Sequence, residues 1–185
     1  MMSIVARLFA ICSLAVLASC GSSSVSAPNT GAAAAWKIAD SQIRFGPEIA
    51  PTATGTDYNS NFVWDGYSGG NRKRQVVGLF RTAIADVAGR QSGSQPVKLN
   101  VVVTKFHAMT GPAQTWCCGK HNIVADLEVV DPESGTVLAA QPGVYLGTVA
   151  LGGIPGIIAN AAGNDQITRV RKAIAKGIAG WMGGL

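Results

Sequence analysis

The chain has 185 residues and a formal net charge of +5, with 48% hydrophobic and 14% charged residues. This length suits one domain with a short extension, and it is enough to bury a core. The mild positive excess is far from a nucleic-acid-binding signature, and four cysteines do not make a disulfide framework, so the composition excludes both classes.

The first 20 residues carry the pattern of a bacterial lipoprotein signal. Arg7 precedes an apolar run over residues 8–18, and small residues lead from it to Cys20. The run is too short to cross a hydrocarbon core about 30 Å thick as a helix, and its flanks are those of a removable export segment. We therefore predict a signal peptide over residues 1–19 and lipid attachment at Cys20, whose acyl chains, such as palmitate, would anchor the protein to a membrane. The alternative is an ordinary secretory signal with an incidental cysteine.

The segment after the predicted cleavage site has the composition of a linker. Residues 21–35 contain no charge and no aromatic side chain and are rich in Ser, Gly and Ala. In enteric-type sorting an Asp after the lipidated cysteine retains a lipoprotein at the inner membrane, so Gly21 favours the outer membrane, with the domain facing the periplasm. We predict a flexible tether over residues 20–35 and a single domain over residues 36–185.

The first elements of the domain are a strand and a helix. Residues 36–45 favour a strand, and residues 46–68 a long loop with a short extended piece at 61–64. From residue 71 to residue 91 the apolar side chains recur at spacings of three and four, which predicts an amphipathic helix.

Three further strands follow, two of them marked by alternation. Apolar and polar residues alternate over residues 97–104 and again over residues 123–129. The turn sequence DPESG then leads into a returning strand at 136–140.

A helix over residues 165–181 is predicted to close the domain, with Asp165 or Asn164 as its N-cap. The face opposite its apolar stripe carries Arg169, Lys172 and Lys176. The resulting order, β-α-β-β-β-α, predicts an α+β fold in which two helices cover one face of a mainly antiparallel sheet.

The segment before the closing helix is unusually apolar. Residues 134–164 contain no Asp, Glu, Lys, Arg or His, and residues 142–163 are dense in Gly. Its prolines and glycines argue against a membrane-spanning helix, so we predict the end of the sheet followed by a flexible apolar loop packed on the domain. The alternative is a loop that seats in a partner or at a membrane surface.

Two cysteines and two histidines are the candidates for metal or redox chemistry. Cys117 and Cys118 lie in the loop between two predicted strands. His107 and His121 would face each other across that strand pair, which would complete the ligand types of a zinc or copper site. Adjacent cysteines fit one tetrahedron poorly, however, and a disulfide between them would be strained and easily reduced, as in a redox switch. Free or intermolecular thiols are the third interpretation.

Two weaker motifs have plain explanations. The sequence GYSGG matches the G-x-S-x-G nucleophile elbow around Ser68, but a hydrolase of that class needs a larger parallel sheet. Residues 72–74 (RKR) would form a small basic patch for lipid headgroups, although we favour simple solvated charges at a helix start.

Three segments resemble one protein family. The sequences VWDG at 63–66, KFHAMT at 105–110 and GKHNIVADLEVVDPESGTVL at 119–138 are similar to a family of small alphaproteobacterial lipoproteins with no established activity. The resemblance implies an envelope protein and, more loosely, a likeness to envelope assembly and transport-accessory lipoproteins. It implies no catalytic residue. The cysteine pair is not part of the family pattern, whereas both histidines fall on it.

The sequence thus predicts a non-enzymatic, lipid-anchored envelope lipoprotein without a cofactor. Its partners would be the membrane, through Cys20, and an envelope protein, through a sheet edge or the Gly-rich segment. The alternative is a redox-active or metal-binding lipoprotein that uses the cysteine pair and the two histidines. A small hydrolase that uses Ser68 is the third hypothesis.

Overall fold

The structure, a computed structural model, describes residues 30–64, 66, 69–108 and 119–183. The helices in these residues are α1 Thr30–Ala33, α2 Arg72–Ala88, α3 Gly153–Ala161 and α4 Gln166–Trp181. The strands are β1 Trp36–Phe45, β2 Phe62–Val63, β3 Gln95–His107, β4 Gly119–Val130, β5 Val137–Tyr145 and β6 Thr148–Ala150. In this part of the chain no helix combines the length and the apolar character that crossing a membrane requires.

The strands form one mixed sheet. Its order is β1-β3-β4-β5, with β2 also beside β3 and β6 also beside β4. β1 and β3 are parallel, because α2 carries the chain back along the sheet between them, as a parallel pair requires. β3, β4 and β5 form antiparallel pairs in chain order. The predicted α+β class with a mainly antiparallel sheet is therefore confirmed, and β1 and β2 are its parallel members.

The two long helices, α2 and α4, cover one face of the sheet. Alternate residues of β3 and β4 are buried on that face, and the residues between them are mostly half-buried, the pattern of a sheet with one covered face. The helices also contact each other. Their buried residues recur at helical spacing and are Val76, Leu79, Phe80, Ala83, Ile84 and Val87 on α2, and Arg169, Val170, Ile174, Ala175 and Ile178 on α4.

An aromatic cluster fills the core where β2 joins β3. The ring centre of Phe106 lies 5.5 Å from that of Trp64 and 6.3 Å from those of Phe62 and Phe80. All four side chains are fully buried. The indole N–H of Trp64 donates to Oε1 of Gln75 at 3.0 Å, which satisfies the polar group of this buried ring. The cluster thereby holds β2 and α2 against the sheet.

Both long helices begin at capping side chains. Oδ1 of Asn71 accepts the N–H of Arg74 at 3.0 Å, and Oδ1 of Asp165 accepts the N–H of Thr168 at 2.7 Å. The bond from Thr168 also lowers the pKa of the Asp165 carboxyl. Asp165 is one of the two N-caps predicted from the sequence, so that prediction is confirmed.

Two segments differ from the expectation. Thr30–Ala33, assigned to the tether, form a helical turn whose Ala33 is buried in the core. Residues 142–163, expected to end the sheet and then form a loop, complete β5 and also build β6 and α3. Within β5, Gly143 takes a φ of +66°, and its N–H donates to Oδ1 of Asp126 on β4 at 2.8 Å.

Candidate functional site at the upper end of the sheet

We call the end of the sheet where β3 stops and β4 begins the upper end. The first residues of β4, the short strand β6, helix α3 and the N-terminus of α4 meet there. β6 pairs with β4 through Gly119–Ala150 and His121–Thr148. Arg169, in the first turn of α4, reaches across to α3. One candidate histidine and the cations of the closing helix therefore lie in one region.

The two histidines lie on opposite faces of the sheet, so the prediction that they face each other is wrong. His107 pairs with Asn122, the strand neighbour of His121, and successive residues of a strand point to opposite faces. His121 is 0% exposed on the helix-covered face, whereas His107 is half-buried on the open face. The cause is a β-bulge between Val103 and Lys105, because one extra residue turns the rest of β3 over.

Burial keeps the imidazole of His121 neutral. Removal from water, and secondarily the positive charge of Arg169, lowers the pKa of His121 from 6.5 to about 4. The pKa of His107 is also lowered, first by its partial burial and then by the charge of Lys105. A neutral imidazole can ligate a metal, yet the described residues contain no cluster of three His, Cys, Asp or Glu side chains.

The backbone of His121 is closely enclosed. The hydroxyl of Tyr145 donates to the carbonyl oxygen of His121 at 3.1 Å. Gly147 lies against the same carbonyl, and a Cβ at Gly147 would be 2.0 Å from the oxygen. Only a residue without a side chain fits there, so the junction between β4 and β6 depends on this glycine.

Arg169 is a residue of the site that the sequence misplaced. Helical spacing puts it on the exposed face with Lys172 and Lys176, but it is only 8% exposed. Its Nη1 donates to Oδ1 of Asn160 at 3.3 Å and to the backbone oxygen of Asn164. Both partners belong to α3 and the turn after it. Because the sequence predicted a loop there, no sequence signal identified them.

A cationic cleft opens beside Arg169, between β6 and α4. Its volume is about 400 Å³. The residues that line it are Thr148, Val149, Leu151, Asn164, Arg169, Lys172, Ala173 and Lys176. Three of these are cations, and no Asp or Glu is among the described lining residues, so the cleft would attract phosphate or carboxylate groups.

Several predicted residues lie outside the described part of the chain. They are Cys20, Ser68, Cys117 and Cys118, together with the whole signal peptide. Lipid attachment, redox or metal chemistry at the cysteine pair and hydrolysis at Ser68 therefore stay predictions.

The fold and this region define a two-layer α+β domain with a buried histidine and a cationic cleft at one end of its sheet. Residues 53–184 match a family of unknown function, DUF6778, and the chain belongs to that family. The match includes all three segments that carried the family resemblance.

This chain is similar to the solved structure of a candidate lipoprotein from Caulobacter crescentus CB15. The two share 13% sequence identity with a TM-score of 0.41, over 83% of this chain and 91% of the other. No curated protein sequence matches significantly.

Proposed function

We propose that this protein is a lipid-anchored lipoprotein of the bacterial cell envelope, and that its domain binds another envelope protein without catalysing a reaction. The anchor is Cys20, and the domain faces the periplasm from the outer membrane. The lipoprotein signal before Cys20 supports the anchor, and an apolar edge of the sheet supports the binding role.

The observation that carries the binding role is the open edge of β5. Among the described residues β5 pairs with β4 alone, so its other side offers backbone groups to a further strand. Val137, Leu138 and Tyr145 on this strand are 43%, 36% and 51% exposed. Since Pro142 cannot donate to a ladder, strand addition by a partner would use Val137–Gln141.

Replacing Cys20 with serine is expected to abolish lipid attachment and to release the domain from membranes, because the lipoprotein signal places the acyl chains on this residue. Labelling with a palmitate analogue and fractionation of the cells measure this. Cys12→Ser is the matched control, since Cys12 lies within the predicted signal peptide and its loss should leave both labelling and membrane association unchanged. Labelling that persists in Cys20→Ser would contradict the anchor.

A photo-crosslinking amino acid at Leu138 is expected to capture a protein in native envelopes, because Leu138 lies on the open apolar edge. The same probe at Lys37 on β1, at the other side of the sheet, should not capture that protein. Val137→Lys should lower the yield at position 138 about tenfold, since a lysine on an edge opposes strand pairing. Equal yields at both probe positions, or no effect of Val137→Lys, would rule out this contact.

A further inference from the structure

Helix α3 turns its large apolar side chains toward solvent. Ile154, Ile157 and Ile158 are spaced as one helical stripe, and they are 73%, 69% and 63% exposed. The side that faces the protein carries small residues instead. Gly156 is the buried residue of the helix, and a Cβ on it would come within 2.8 Å of the Leu151 carbonyl oxygen. This arrangement is the reverse of an ordinary surface helix.

The exposed stripe has no charged residues of its own to hydrate it. Residues 134–164, which include all of α3, contain no Asp, Glu, Lys, Arg or His. Three isoleucines held in water forgo the free energy that burial would provide, and a contiguous exposed apolar surface marks a contact site. The stripe is therefore suited to contact with a partner that is itself apolar.

The cationic cleft adjoins the end of α3. Asn160 of α3 accepts from Nη1 of Arg169 at 3.3 Å, and Asn164 accepts from Nζ of Lys172 at 3.4 Å. Lys172 and Lys176 line the cleft, and both are exposed. Arg169 is buried and adds its positive charge to the cleft, while Lys172 and Lys176 are the cations of the cleft that reach solvent.

The charge of the protein is concentrated in the layer that contains this cleft. Helices α2 and α4 hold eight of the chain's 15 Lys and Arg but only one of its 10 Asp and Glu. The rest of the chain has fewer cations than acidic residues. An anionic surface would therefore meet the helix layer first, and the open face of the sheet would point away from it.

We infer that the exposed face of α3 and the exposed lysines beside it (Ile154, Ile157, Ile158, Lys172 and Lys176) form a docking surface for an anionic phospholipid bilayer. The isoleucines enter the boundary between headgroups and acyl chains, and the two lysines contact lipid phosphates. Apolar side chains beside cations match the two chemical layers of a lipid surface. The acidic residue beside this set is Asp165, whose carboxylate already accepts the N–H of Thr168 as the N-cap of α4. The inference does not depend on Cys20, although an acyl anchor and this surface would act together as two membrane signals.

The test uses the chain from residue 20 onwards with Cys20→Ser, so that no acyl chain contributes. Sedimentation with vesicles of phosphatidylcholine alone, or with phosphatidylglycerol added, measures the partition coefficient. We expect binding only to the anionic vesicles, and weaker binding at high salt. Ile154→Ser/Ile157→Ser/Ile158→Ser should lower the partition coefficient about a hundredfold or more. Lys172→Gln/Lys176→Gln should lower it about thirtyfold.

Lys37→Gln/Lys105→Gln removes the same charge from the open face of the sheet and is the matched control. It should change binding by less than about twofold, because charges farther away than the screening length contribute little. A reporter variant, Ile157→Trp, should show a blue shift of its added fluorescence on contact with anionic vesicles, and it keeps the test valid if the triple variant does not fold.

Three results would overturn the inference. The first is undiminished binding by the isoleucine variant, or no fluorescence shift of Ile157→Trp. The second is an equal loss in the control pair, which would mean attraction by net charge alone. The third is a lipid-free dimer that the isoleucine substitutions dissociate, since the stripe would then be an interface between two copies of this chain.

Discussion

Replacing Phe106 with alanine is expected to lower the free energy of unfolding by about 4 kcal/mol. Phe106 is fully buried, and its ring contacts those of Phe62, Trp64 and Phe80. The substitution would leave a cavity between β2, β3 and α2, where aromatic rings from three elements meet and cannot easily collapse. Urea denaturation followed by circular dichroism measures the change, and the slope against urea should stay constant.

Phe45→Ala is the matched control for this experiment. Phe45 contacts the ring of Phe62 from the edge of the cluster, at a centre distance of 5.6 Å, and is only half-buried. Its loss should cost about half as much, because the solvent fills the space that the ring leaves. An equal cost for both variants, or a cost below about 1 kcal/mol for Phe106→Ala, would mean that Phe106 is not at the centre of the cluster.

Acidification is expected to destabilise the protein through His121. Its pKa is 6.5 when the side chain is exposed and about 4 in the folded state, so the unfolded chain binds more protons between these values. Above pH 6.5 the imidazole is neutral in both states, so His121 does not reduce the free energy of unfolding. That free energy falls as the pH drops from 6.5 toward 4. At pH 4 the loss should reach about 3 kcal/mol. Urea denaturation at a series of pH values measures this slope.

His121→Gln should remove that slope, whatever its effect on stability at neutral pH. The difference between the two proteins isolates the histidine, because the carboxyls of Asp131 and Asp165, whose pKa values are also lowered, are present in both. His107→Gln is the comparison variant and should leave most of the slope, since that imidazole is only half-buried. A slope that survives in His121→Gln would show that another group titrates in this range.

The fold class and its main elements could be predicted from the sequence because they follow from local patterns. Period-two alternation marks β3 and β4, since one face of the sheet is buried under the helices and the residues of the other face are mostly half-buried. The helical spacing of apolar residues marks α2 and α4, and Asp165 marks where α4 begins. These signals depend only on residues close together in the chain.

Helix α3 escaped prediction because its packing reverses the usual rule. Gly156 lies against the protein and the isoleucines lie in solvent. The positions of the apolar residues therefore do not predict which side of the helix is buried. Pro155 is compatible with the first turn of a helix, yet in a Gly-rich sequence it suggests a loop. Arg169 was predicted to be exposed for the same reason, because the acceptor of its hydrogen bond, Asn160, is on α3.

The sequence by itself determined an α+β domain and an uncharged segment before the closing helix, and it predicts a lipoprotein signal peptide over residues 1–19 in front of Cys20. Those features follow from composition and short-range periodicity, which do not depend on contacts between residues far apart in the chain. Only the tertiary structure decided that a bulge in β3 separates His107 from His121 and that an apolar helix lies beside a cationic cleft. Strand register and the neighbours of a buried charge are set by contacts between residues far apart in the chain, and no local pattern encodes them.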